Sequence, residues 1–234
     1  IISFEKFLSI TNEDNKIRII NSHQSELSYQ TYLELAISYY NRGLVDEAIN
    51  ILDIGPDELI NNIWKAYLKD DKKGLEDILT NSKIDFSFPF RRESIKILSW
   101  ARDLHPNWKL DYLLSLNLWG KGRHKESQVL LSRIGEKSNN PIFYLIRGLM
   151  LEKLDVDPIN DFKKAYKLNN KNWRISRALS NYYFASKEYN LSNNILKKAF
   201  NNDKTNYIIG MDYVKTLVKL ESYSSAISVL DNLH

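Results

Sequence analysis

The chain has 234 residues, of which 43% are hydrophobic and 26% charged, with 8 glycines, 5 prolines and no cysteine. That apolar share is enough for a continuous core, the scarcity of glycine and proline argues against a sheet protein, and the missing cysteine excludes disulfides and cysteine-ligated zinc. Net charge is +4, but residues 1–90 carry 9 basic against 15 acidic side chains and the remainder 24 against 14, so −6 in front is followed by +10 behind, an asymmetry that suits an acidic partner at the C-terminal end.

In chain order, Phe4, Phe7 and Leu8, followed by Ile17, Ile19 and Ile20, predict two short irregular helices over residues 1–27. They are separated near Thr11, which with Asp14 resembles a weakened capping box. No leader pattern precedes them, so any targeting signal would lie outside this fragment. No stretch nears the roughly 18 apolar residues of a membrane span.

Residues 28–56 read as one helix pair. Tyr32, Leu35, Ala36 and Tyr39 share a face of the first helix, Gly43 breaks it, and Ala48 with Leu52 lines the second. Small residues such as Ala36 and Ala48 belong where two helix axes approach most closely.

Residues 57–106 are irregular. Ile60, Ile63, Trp64 and Tyr67 mark one helix, Leu75, Ile78 and Leu79 a shorter one, and Ile95, Leu98, Trp100 and Ala101 a third. Between the last two lies a loop, 82–90, where Pro89 disfavours helix at Phe88. Its phenylalanines, Phe86, Phe88 and Phe90, either seal a malformed repeat or offer a landing site.

Residues 107–234 read as four further pairs. Tyr189, Ser192, Leu196 and Ala199 recur 34 residues later as Tyr223, Ala226, Leu230 and Leu233. Positions equivalent to Ala48 fall at Ser127, near Pro158, at Ser192 and at Ala226. The short step after Ser127 implies a trimmed turn near Asp155, with Asp157 capping the next helix and Pro158 in its first turn.

A 34-residue period of helix pairs resembles the tetratricopeptide repeat, whose units cannot bury their apolar faces alone and stack on neighbours. The expectation is a single all-α domain over residues 1–234, a right-handed α-α superhelix of tetratricopeptide type with one irregular, loop-containing break. Three runs also look like the C-terminal helical region of one group of large bacterial proteins: residues 27–53 (LSYQTYLELAISYYNRGLVDEAINILD), 88–123 (FPFRRESIKILSWARDLHPNWKLDYLLSLNLWGKGR) and 168–184 (LNNKNWRISRALSNYYF). In that group the repeats follow a β-rich domain similar to sugar-binding or mutarotase-like folds. The resemblance implies a fragment of a larger protein and brings no active site with it.

In tetratricopeptide arrays, positions 2, 5, 9, 12 and 13 of the first helix line a concave surface. Counted back from the anchors, the units begin at Tyr29, Trp108, near Pro141, Trp173 and Tyr207. The groove candidates implied are Tyr40 and Asn41, then Lys109, Tyr112 and Trp119, then Arg174, Arg177, Asn181 and Phe184, then Lys215 and Lys219. Aromatic and arginine side chains on such a surface are the usual anchors of an interface. The carboxylate clamp of chaperone-binding repeats is matched loosely by Arg177 and Asn181 but broken by Asp212.

Catalytic and metal readings find little. His23, His105, His124 and His234 show no ligand spacing on one helix face. Gly120–Arg123 lacks the glycine spacing of a phosphate loop and reads as a turn. The acidic pairs Asp70/Asp71 and Asp155/Asp157 sit on turns, where they do not clamp a sugar from two sides, and the sequon at Asn190 places Ser192 in a packed position. The expected function is a non-enzymatic binding scaffold without cofactor or metal, whose partner is a protein, a peptide or the protein's own missing domain, with self-association through the last repeat compatible. The alternative is an accessory helical domain of a carbohydrate-active protein. RNA binding, suggested by the basic half, is opposed by the 34-residue spacing and the apolar groove candidates.

Overall fold

The computed structural model describes residues 14, 15, 18, 27–84, 87–136 and 138–233. The expected helices of residues 1–27, together with Phe86, His23 and His234, lie outside these, apart from residues 14, 15, 18 and 27. The described residues are all-α and fall into two compact units, Ile1–Gly135 and Glu136–His234.

From residue 27 onward the helices of the first unit are α1 (Ser28–Tyr40), α2 (Val45–Ile54), α3 (Leu59–Leu68), α4 (Gly74–Asn81), α5 (Glu93–Leu104), α6 (Trp108–Gly120) and α7 (His124–Ile134). Each packs on its successor except α4, and α3 meets both α4 and α5. The second unit holds α8 (Pro141–Glu152), α9 (Ile159–Leu168), α10 (Trp173–Ala185), α11 (Tyr189–Asn202), α12 (Tyr207–Lys219) and α13 (Tyr223–Asp231). Here too each helix packs on the next, and the first helices of successive pairs, α8, α10 and α12, also touch.

One turn recurs throughout. Gly43, Asp70, Gly122, Asp155, Lys187 and Glu221 all have positive φ, between 50° and 78°. At each, the left-handed residue's N–H donates to the carbonyl three back (Gly43 to Tyr40, Asp70 to Tyr67, Lys187 to Phe184), and the next N–H donates to the carbonyl five back (Leu44 to Tyr39, Asp71 to Ala66, Glu188 to Tyr183). This is the Schellman arrangement that satisfies the orphan carbonyls of a helix end. From Gly122 onward the turn residues are spaced 33, 32 and 34 residues apart. After Asp155 two residues are trimmed, for the buried Pro158 follows three residues on whereas Ser127, Ser192 and Ala226 each follow five on. Asp157 Oδ1 accepts from the Ile159 N–H at 3.0 Å in that shortened turn.

The turn also appears inside the stretch that reads as irregular. Asp70 places α3 and α4 in the same hairpin as the other pairs, and Leu75, five residues on, is as buried as Ala48. The pattern is masked in the sequence because the step from Gly43 is only 27 residues and the left-handed residue is not glycine.

Inside each pair, small side chains let the helices close. Ala36, Ser115 and Ser180 are fully buried on first helices, and Ala48, Ser127 and Ser192 on second helices. Ser127 Oγ donates to the Ser115 carbonyl at 2.9 Å, a direct measure of how closely α6 and α7 approach. At Gly148 a Cβ would stand 2.5 Å from the Phe162 ring, so α8 tolerates only glycine against α9. The starts of α6, α8, α10 and α12 are capped by Asn107, Asn140, Asn172 and Asn206, each accepting from a backbone N–H of the first turn.

An L-residue in the left-handed region is strained by roughly 1–2 kcal/mol, while glycine loses about 0.5–1 kcal/mol more chain entropy on folding. Lys187→Gly and Glu221→Gly, both at exposed turn positions, are therefore expected to stabilise the chain by about 0.5–1 kcal/mol each. Urea denaturation checks this, and an unchanged or lower midpoint for both variants would contradict it.

Candidate functional site

The residue three before each left-handed turn residue is the last or nearly the last of its first helix. In four of six pairs it is aromatic: Tyr40, Tyr67, Trp119 and Phe184. Two of these rings lean on the residue that opens the second helix. Trp119 stacks on His124 (centroids 4.2 Å, 28° between planes), and Phe184 meets Tyr189 edge-on at 5.2 Å. All four of these aromatic side chains are half-buried.

In the first unit, Tyr40 lies half-buried with its ring edge-on to Trp64 (5.7 Å) and Tyr67 (6.4 Å), and Tyr67 meets Trp100 at 5.2 Å. The result is a row of rings across α1, α3 and α5. Lys96 Nζ lies 5.7 Å from the Tyr67 ring centroid. The Lys96 ammonium draws the Tyr67 hydroxyl below the usual phenol range, against the opposing effect of burial, while the neighbouring Tyr67 hydroxyl pushes Tyr40 up. Asn41, beside Tyr40, donates to Glu93 Oε1 at 2.9 Å.

Tyr67, Lys96 and Trp100 are absent from the sequence-based groove candidates. The signal that finds them is the left-handed residue at Asp70, which puts Tyr67 at the same hairpin position as Tyr40.

Lys109 and Tyr112 do not join this row. Lys109 Nζ donates to the carbonyls of Leu79 (2.6 Å) and Ser82 (2.7 Å), closing the end of α4, and burial lowers its pKa. Tyr112 is 3% exposed and belongs to the core, so it offers a ligand no surface.

The loop that follows α4 is strapped onto α1. The Phe88 N–H donates to the Tyr29 hydroxyl at 2.8 Å, Arg91 pairs with Glu34 at 3.0 Å and with Glu93 at 3.5 Å, and Asn117 donates to the Arg91 carbonyl at 2.8 Å. Ile84, Ser87 and Pro89 are buried, Phe88 is half-buried, and Phe90 is 41% exposed. Of the described phenylalanines in this loop, Phe88 serves the seal and Phe90 reaches solvent.

In the second unit, groove candidates do converge. Arg177 on α10 donates through Nε to Asp212 Oδ2 on α12 at 2.7 Å, and Lys215 Nζ on α12 sits 4.7 Å from the Phe184 ring centroid. Arg174 is exposed with its guanidinium over Trp173 (4.5 Å), and Asn181 and Lys219 are exposed. Asp212 takes one donor of the Arg177 fork, and the Arg177 side chain remains 43% exposed. Among the described residues the face therefore combines one ion-paired cation, Arg177, and several with no ion pair, with an aromatic ring. Charge-assisted contacts to a carboxylate and stacking against Phe184 are its available chemistry.

Among the described residues no three of His, Cys, Asp and Glu are placed to hold a metal ion, and no helix is long and apolar enough to cross a membrane.

No family model and no curated protein matches this sequence. Among solved structures, a tetratricopeptide repeat protein from Parabacteroides merdae ATCC 43184 is similar, with a TM-score of 0.48 and 13% identity over 88% of this chain and 78% of that one. The APC/C hetero-tetramer Cut9–Hcn1 gives a TM-score of 0.46 and 14% identity over 98% of this chain and 52% of that one. The all-α, helix-pair repeat of tetratricopeptide type rests on the recurring turn and the small-residue contacts described above.

Proposed function

We propose that this chain is a non-enzymatic binding scaffold that takes a protein segment on the open face of α10 and α12, the partner being another protein or a further domain of the same protein. The observation that carries this reading is the pairing of Phe184 with Lys215 beside Arg177 with Asp212, which builds one aromatic and cationic face from two first helices 31 to 35 residues apart. Two packed helices hold those side chains in place, so less entropy is lost on binding than on a loop. The basic balance of the C-terminal part of the chain favours an acidic segment.

The test is selection of a random-peptide display library against the full chain, followed by affinity measurement on the enriched peptides. Phe184→Ala combined with Lys215→Glu is expected to weaken them about tenfold or more, some 1.4 kcal/mol, with the melting temperature little changed. Affinities that ignore both substitutions would remove this face from the reading.

A further inference from the structure

Within the first unit a cavity of about 300 Å³ opens between α5 and α7, with α6 beneath it. Its floor is apolar, formed by the nearly buried Leu114, Leu118 and Leu130, and Val129 stands at its mouth, 54% exposed. Its rim is cationic. Arg102, Arg123 and Arg133 all line it, against a single lining carboxylate, Glu126.

The three guanidiniums are engaged to different degrees. Arg102 donates through Nε to Asp111 Oδ1 at 2.6 Å, and Arg123 forks onto Glu126 with two bonds of 2.6 Å. Arg133, exposed in the last turn of α7, has no ion-pair partner among the described residues. Lys121 and Lys125, both exposed, flank Arg123 in the chain and add to the positive field.

We propose that this cavity docks an acidic peptide segment carrying one bulky apolar side chain, which enters between Leu114, Leu118 and Leu130 while flanking carboxylates meet Arg133 and the free donors of Arg102. Charge complementarity selects the acid: guanidinium presents a planar fork matched to carboxylate and is weakly hydrated, so it is the cation suited to the edge of an apolar pocket. Size selects the side chain, because this volume sits at the bottom of the roughly 300–1,000 Å³ range of small-molecule sites. It takes one leucine or phenylalanine rather than a long acyl chain. The Arg123–Glu126 fork is then a competitor held in place of the ligand's own carboxylate. This surface is built by α5–α7 of the first unit and shares no residue with the face of α10 and α12.

The experiment uses the full chain and a fluorescein-labelled synthetic peptide with one leucine flanked by glutamates, read by fluorescence anisotropy. Two control peptides carry serine in place of the leucine or glutamine in place of the glutamates. Saturable binding is expected for the first peptide, at least about tenfold tighter than for either control and weakening with added salt. Arg133→Glu and Val129→Asp, both at exposed positions, are expected to weaken it about tenfold. Glu126→Gln is expected to tighten it severalfold by releasing Arg123, a gain that a misfolded variant would not give. Lys215→Glu should leave it unchanged, which separates this site from the other face. Equal binding of the serine control, indifference to Arg133→Glu, or capture of phosphatidylserine vesicles or an RNA oligomer in place of the peptide would each overturn the proposal.

Discussion

Replacing Arg147 by alanine is expected to destabilise the second unit by about 3–5 kcal/mol, the usual cost of leaving one partner of a buried ion pair behind. Arg147 and Asp161 are the most buried of the described ion pairs, with side chains 14% and 7% exposed. The guanidinium donates to both carboxylate oxygens, Nε to Oδ2 at 2.7 Å and Nη2 to Oδ1 at 2.5 Å, so the contact is bidentate across α8 and α9. Its other side lies over the rings of Phe143 (4.9 Å) and Tyr144 (5.2 Å), which lose a partner too. The alanine variant strands the Asp161 carboxylate in a site that water reaches poorly.

Arg147→Met together with Asp161→Leu replaces the pair by apolar groups of similar bulk, and such exchanges are often neutral or stabilising. The double variant should therefore recover most of the loss. Urea denaturation of the three proteins decides the matter, and a single-variant loss below about 1 kcal/mol would show that the pair behaves like an exposed one.

The second large effect belongs to the first unit. Trp64 is fully buried on α3, its indole N–H donates to Ser94 Oγ on α5 at 3.0 Å, and its ring takes the edge of Tyr40 from α1. One side chain thus ties three helices together. Trp64→Ala is expected to cost about 3–5 kcal/mol through the cavity it leaves, and Trp64→Phe about 1–3 kcal/mol, mainly because the buried Ser94 hydroxyl loses its donor. Since Trp64 backs the Tyr40–Tyr67–Trp100 row, the alanine variant should also lose near-ultraviolet circular dichroism from those rings. A variant that kept both its stability and that signal would show that the row stands without it.

Much of the helical framework was legible from residue spacing alone. The buried small residues Ala36, Ala48, Ser127, Ser192 and Ala226 could be placed by period because packing two helices closely imposes the same size limit in every pair. The hairpin of α3 and α4 was less legible. Its turn depends on Asp70 adopting a left-handed conformation that glycine would have announced, and the shortened spacing hid the equivalence of Tyr67 with Tyr40.

The candidate site was legible only in part, and particular residues show why. Phe184 and Lys215 were both picked out by helix position, and they meet. Lys109 was picked out by the same rule, yet its ammonium is spent on the carbonyls that end α4, because that helix stops at Asn81 and the chain turns away there. Tyr112 sits on a first helix whose neighbours surround it.

What the sequence determined by itself was the repeating unit: where the first helices of the regular pairs begin, which residues must be small, and where the charge lies. Those follow from local rules of apolar periodicity, turn conformation and side-chain volume, acting within about 34 residues. The tertiary structure decided which polar side chains remain for a partner. Arg177 loses one donor to Asp212, 35 residues away, and Arg91 is held by Glu34, 57 residues away. A cation's availability is fixed by the nearest carboxylate or carbonyl in space, and that neighbour comes from another helix once the pairs have stacked.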